Sequence, residues 1–138
     1  MPAESLAFVD TNIFVYAFSS GNDPRQLAAR QLHERLLHED RLCLSTQVLQ
    51  ELFVSLTRKY SQSPDVVLPL LHDLTQWPCF TIDPAAVEDA GRLSVSAQLS
   101  FWDSLIVVSA RRMGAETLYS EDMNNGQMIE GVKIVNPF

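Results

Sequence analysis

The run Leu6-Ala7-Phe8-Val9 is continuously apolar and ends abruptly on Asp10. A short unbroken apolar run has no alternating polar face, so it reads as a strand covered on both sides, as in a parallel sheet between helices. A parallel sheet requires a crossover after each strand. The carboxylate closing the run then stands at a strand end, where an α/β fold gathers its ligand-binding groups. An ionised carboxylate there must meet solvent, a donor or a cation.

The rest of the chain keeps to that scheme. Ile13 to Phe18 reads as a short helix, with Asn12 as a candidate cap. Asp23-Pro24-Arg25-Gln26 is a helix start, with a capping Asp, Pro at the first helical position and Gln26 closing a capping box; Ala28, Leu32 and Leu36 form its apolar face. Arg41 to Leu44 is a second strand, after which Ser45 or Thr46 caps a helix to about Tyr60 with Val48, Leu49, Leu52, Phe53 and Leu56 inward. Ser63-Pro64-Asp65 starts another helix, which Pro69 is expected to kink or shorten. Cys79 to Ile82 is a third strand, Asp83-Pro84 opens a helix to about Gln98, and Ser100 to Asp103 opens one to about Met113. Gly114 is a stop signal, Thr117 to Tyr119 a fourth strand and Val132 to Val135 a fifth. Alternation of this kind predicts a three-layer α/β/α fold with a mainly parallel sheet of about five strands.

The chain has 138 residues, 46% of them hydrophobic, with no repeat and no linker-like tract, so a single domain spanning residues 1–138 is expected. No apolar run is long enough to span a bilayer, and Met1-Pro2-Ala3-Glu4-Ser5 has neither the basic nor the apolar region of a secretory signal. A cytoplasmic protein without membrane association is the expectation. Cys43 and Cys79 read as reduced core cysteines, and His33, His38 and His72 lack metal-ligand spacing. A net charge of −7 excludes a broad basic face of the kind that wraps nucleic acid, but not a nuclease whose acids are offset by a cation.

Three further acids share the punctuated placement of Asp10. Asp103 stands where a carboxylate completes a capping box, and one oxygen can serve the cap while the other faces a site. Asp122 follows the fourth strand, with Glu121 as its competitor and the turn-rich Met123-Asn124-Asn125-Gly126 behind it. Glu51 has the weakest local case: Gln47, Glu51 and Ser55 at i, i+4 spacing read as the solvated face of their helix. In a parallel sheet Asp10, Asp122 and the start of the Asp103 helix come to one edge. Oxygen-only ligands there suit Mg²⁺ or Mn²⁺ rather than zinc.

Through these residues the chain resembles a PIN domain over essentially its whole length. Phe8-Val9-Asp10-Thr11-Asn12 resembles the family's opening strand and first acid, and Gln50-Glu51-Leu52 its second acid. Trp102-Asp103-Ser104-Leu105-Ile106 resembles the third-acid helix, and Leu118-Tyr119-Ser120-Glu121-Asp122 the final Ser/Thr-x-Asp motif. The tail from Gly131 to Phe138 is similar to the ends of VapC-type toxins. The resemblance moves Glu51 from a solvated helix face into the acidic set and selects Asp122 over Glu121. It implies a metal-dependent endoribonuclease, usually the toxin of a toxin–antitoxin pair, with Asp10, Glu51, Asp103 and Asp122 as catalytic metal ligands. Thr11, Asn12 and Ser120 fall at supporting polar positions, and Glu121 is a further supporting acid. It also implies Mg²⁺ or Mn²⁺ as cofactor, RNA as substrate, products with 5′-phosphate and 3′-hydroxyl ends, a cognate antitoxin whose basic segment enters the acidic site, and a homodimer. The alternatives are an RNA-processing nuclease that is not a toxin, a non-catalytic interaction module on the same fold, and phosphoryl transfer onto Asp10. The last is disfavoured because Thr11 and Asn12, not a second acid, follow it.

Overall fold

The computed structural model describes residues 5–138; the opening Met1–Glu4, on which the absence of a secretory signal is read, lies outside them. Six strands form one sheet: β1 (Ala7–Val9), β2 (Leu42–Ser45), β3 (Cys79–Phe80), β4 (Thr117–Tyr119), β5 (Met128–Ile129) and β6 (Val132–Val135), in the order β3-β2-β1-β4-β6-β5. Every pairing is parallel except the β5–β6 hairpin. Both β1 and β2 are buried along their whole length, as two covering helix layers require. The sheet matches the expected mainly parallel one of about five strands, with a sixth added: Met128–Ile129 is too short and too close to turn residues to carry a strand pattern of its own, and it pairs by returning against β6.

The helices are α1 (Thr11–Phe18), α2 (Pro24–His38), α3 (Thr46–Val54), α4 (Pro64–Thr75), α5 (Pro84–Ala97) and α6 (Phe101–Arg112). Capping follows the sequence signals at Asp23, Ser45, Ser63, Asp83 and Ser100. At α1 the cap is Asp10 rather than Asn12, because the helix begins directly at the strand end. The inward face of α2 includes Ala29, Leu32 and Leu36, with Ala28 only half-buried. Pro69 does not end α4, which continues to Thr75. The expected helix to Tyr60 ends its α-form at Val54 and widens into a π-helical turn, Ser55–Lys59, where Tyr60 N–H donates to Ser55 C=O at 3.2 Å.

The core runs through both layers, with Phe8, Phe14, Leu36, Leu44, Leu52, Ile106, Leu118 and Ile134 fully buried. His33 is half-buried and packs edge-on against Phe14 and Phe18, and burial lowers its pKa. Cys43 is buried and unpaired, and burial pushes its thiol up to about 12. Among the described residues no single helix is long and apolar enough to cross a membrane.

Ser100 holds the start of α6, its Oγ accepting from Asp103 N–H at 3.0 Å. Ser100→Ala is expected to cost about 1 kcal/mol, read as a lower midpoint in thermal unfolding; an unchanged midpoint would show that the cap carries no stability.

Candidate functional site

The sheet order reverses at β1: the chain goes outward through β2 and β3 on one side and through β4 and β6 on the other. The crevice beyond the carboxyl ends of β1 and β4 is therefore the switch point of an open α/β sheet. Asp10 leaves β1 into it, and Ser120 and Asp122 leave β4. Glu51 enters from α3 and Asp103 from the first turn of α6. All four acids line one cavity of about 60 Å³, together with Thr11, Asn12, Gln47 and Trp102.

Neutral donors fix the carboxylates. Asp10, only 5% exposed, accepts from Thr11 N–H at 2.7 Å and from Ser120 Oγ at 2.9 Å. Ser120 Oγ in turn accepts from Asp122 N–H at 3.2 Å, tying the first acid to the last. Thr11 Oγ1 donates to Glu51 at 2.8 Å, Gln47 Nε2 donates to its other oxygen at 2.8 Å, and Asn12 Nδ2 donates to Asp122 at 2.9 Å. The i, i+4 row that suggested a solvated face is thus turned inward, and Gln47 is buried. Glu121 does not line the cavity: its carboxylate accepts from Tyr16 Oη at 2.9 Å and from Arg25 at 2.7 Å. Burial first, and then the bond to Glu121, push the Tyr16 hydroxyl up to about 12.

Electrostatics mark the cavity as a place of uncompensated negative charge. Burial pushes Asp10 up to about 7, against the hydrogen bonds from Thr11 and Ser120, and the charges of Asp122 and Glu51 add to the rise. Asp103 is raised by burial and by Glu51; Asp122 is raised by burial and by Asp103, Glu121 and Glu51. Among the described residues none of the four is ion-paired with an Arg or Lys. No three of them stand close enough, as placed, to make a closed ligand cage. The donor set nevertheless fits a hard divalent cation. It is oxygen-only, it is held by neutral donors, and Gln47 Oε1 is a further buried acceptor without a protein partner among the described residues.

Two residues at the cavity are not singled out by the sequence. Gln47 stands there only as the residue one turn before Glu51. Trp102 is the neighbour of Asp103, but nothing in the sequence says that it is 63% exposed.

A mainly parallel sheet whose strands β1 and β2 are fully buried, with carboxylates gathered at its switch point, defines a three-layer α/β protein built around an acidic pocket. The family model described as PIN domain matches residues 7–125, and the chain belongs to the PIN domain family. Among curated proteins it is similar to "Ribonuclease VapC23" of Mycobacterium tuberculosis, 37% identical over 84 residues; the match covers 58% of this chain and 65% of that relative, less than two thirds of its length. Among solved structures it is similar to a toxin–antitoxin complex from Klebsiella pneumoniae, with TM-score 0.70 and 23% identity over 96% of this chain and 98% of that one. It is also similar to VapC20 of M. tuberculosis, a Sarcin-Ricin loop cleaving toxin, with TM-score 0.68 and 23% identity over 86% and 91%. At these identities the structural matches carry the fold alone.

Proposed function

We propose that this chain is a divalent-cation-dependent endoribonuclease acting as one domain in the cytoplasm, as the toxin of a toxin–antitoxin pair. The observation that carries the reading is the convergence of Asp10, Glu51, Asp103 and Asp122 on one cavity, with no Arg or Lys ion-paired to them among the described residues. Its similarity to a ribonuclease and to a toxin–antitoxin complex supports the direction.

In this reading the four acids hold Mg²⁺ or Mn²⁺. A cation bound there supplies Lewis acidity and charge neutralisation for phosphodiester hydrolysis. The chain's own part is positioning. Thr11 and Ser120 fix the two oxygens of Asp10, Thr11 and Gln47 fix those of Glu51, and Asn12 holds Asp122. None of these donors carries a charge that would compete with the cation. Glu121, bound to Arg25 and Tyr16, supports α1 and α2 from outside the cavity.

The test is single-stranded RNA incubated with the purified chain and Mg²⁺ or Mn²⁺. Cleavage into fragments with 5′-phosphate and 3′-hydroxyl ends, stopped by a chelator, is the expected result. Intact RNA with either cation, together with no heat of cation binding in calorimetry, would leave the non-catalytic reading in its place.

The toxin assignment adds a protein partner. A basic segment complements the acidic pocket and the net charge of −7. A small neighbouring reading frame whose product binds the chain and halts cleavage is expected; a gene neighbourhood without one favours an RNA-processing nuclease. A homodimer is part of the proposal, supported by the exposed Leu27 of α2 and Val66 and Leu68 of α4. Light scattering that returns only the monomer mass refutes it.

A further inference from the structure

The acidic cavity by itself repels a polyanion, so a strand presented to it must be held by something outside it. A groove of about 530 Å³ opens directly from the cavity, sharing Thr11, Glu51 and Trp102 with it and continuing along α3 past Gln50, Val54 and Ser55. Three properties of this groove belong together.

Its mouth carries an aromatic face. Trp102 is 63% exposed, and its ring is braced edge-on by Phe101 at 5.1 Å and 79°. Gln47 Nε2 also approaches the Trp102 carbonyl at 3.3 Å. An exposed indole held this way is a platform set beside the reacting end of the site, not a core residue.

Its wall is mixed. Val54 is 48% exposed, and Gln50 contributes an amide one residue before Glu51.

Cations follow one turn beyond its lining residues. Arg58 and Lys59 lie in the π-helical turn, one turn beyond Val54 and Ser55, and both are exposed. Among the described residues neither is paired with an acid, whereas Arg25, Arg35, Arg41, Arg92, Arg111 and Arg112 all are. Arg30 is engaged by the carbonyls of Ala17 and Ser19 at the end of α1. In a chain of net charge −7, two cations without acidic partners, just beyond the helix that carries Glu51, form a local reversal of sign.

An aromatic platform, a mixed wall with amides and a cationic end are the parts of a site for single-stranded nucleic acid, where bases stack and phosphates meet cations. We propose that this groove is the RNA track of the enzyme. An unstacked base next to the scissile phosphate lies on Trp102, and the backbone runs along α3 to Arg58 and Lys59. The assignment rests on the ribonuclease reading and adds to it that the substrate is single-stranded at the cleavage point. A base within a duplex cannot offer its face to the indole.

The chain has two tryptophans, so Trp77→Phe leaves Trp102 as the sole indole, excited selectively over the three tyrosines. The full-length chain carrying Trp77→Phe and Asp10→Asn, which stops turnover, is titrated in Mg²⁺ with a short mixed-sequence single-stranded RNA. Quenching of Trp102 emission is expected. By anisotropy of the labelled RNA, Trp102→Ala weakens binding about 5- to 150-fold, the range for loss of one base–aromatic stack, and Trp102→Phe restores most of it. Arg58→Ala with Lys59→Ala lowers the slope of log affinity against log salt by about 1.4, two phosphate contacts on a single strand. All three side chains are exposed, and circular dichroism checks that the variants fold. The proposal is overturned if RNA binds without quenching and with the same affinity and salt slope in every variant. It is equally overturned if a basic peptide quenches Trp102 and RNA does not. Wild type that cleaves RNA while these variants bind it unchanged removes only the track; wild type that neither binds nor cleaves RNA removes the nuclease reading as well.

Discussion

Asp10→Asn is expected to reduce cation-dependent RNA cleavage by about a thousandfold or more in kcat/KM, a loss of about 4 kcal/mol of transition-state stabilisation. Asn keeps the shape of Asp10 and can still accept from Thr11 N–H or Ser120 Oγ, so the fold is retained while a cation-holding charge disappears. Asp103→Asn, at the mouth of the same cavity, is expected to fall in the same direction. Initial rates at matched Mg²⁺ concentrations decide it. Cleavage undiminished in both variants would mean that the chemistry lies elsewhere.

The same substitution is expected to have the opposite effect on stability when no cation is bound. Burial holds Asp10 at about 7 in the folded chain, against 3.8 for the free side chain. A carboxyl raised in this way contributes its full stability below the unfolded value, where it is neutral in both states. That contribution is lost as pH rises through about 7. Each pH unit across this interval is worth about 1.4 kcal/mol. At pH 8 the metal-free Asp10→Asn chain should therefore be more stable than the wild type by on the order of 4 kcal/mol, with the difference closing towards pH 4. Taking the difference between the two chains removes the opposing contribution of His33, whose lowered pKa destabilises the fold as pH falls. Saturating Mg²⁺ should stabilise the wild type, by about 2.7 kcal/mol at a hundredfold excess over Kd, and leave the variant unmoved. Denaturant melts at pH 4 and pH 8, with chelator and with Mg²⁺, measure all four corners. Equal stability of the two metal-free chains at pH 8 would show that Asp10 is not buried as a charge.

How far these residues can be read from the chain depends on how local their signals are. Asp10 is legible because an apolar strand ending in a carboxylate is a two-part signal within five residues. The caps at Asp23, Ser63, Asp83 and Ser100 are legible for the same reason. Glu51 is not: helical spacing alone cannot say which face turns inward. Its row is turned by Thr11, forty residues earlier, through one hydrogen bond. Only resemblance to a family brings Glu51 into the set. Glu121 and Asp122 are adjacent and chemically alike. The partners that separate them, Arg25 and Tyr16 for one and Asn12 for the other, lie about a hundred residues away. The π-helical turn has no signal in its residue types. The β5 strand exists only through its pairing with β6, so a two-residue stretch cannot announce it.

The sheet order also sets when, during synthesis, this pocket can exist. β1 is made first, yet it lies in the middle of the sheet and acquires β4 as a neighbour only after Tyr119 has been made. β4 stays an open edge until Val135 is in place. The Ser120–Asp10 bond spans 110 residues of chain. A nascent polypeptide thus carries Asp10 and Glu51 for most of its elongation without Asp103 and Asp122, the acids that complete the cavity. The pairings that join them are the non-local ones that close slowest in folding. The topology thereby delays assembly of the four-acid pocket until nearly all of the chain has been translated.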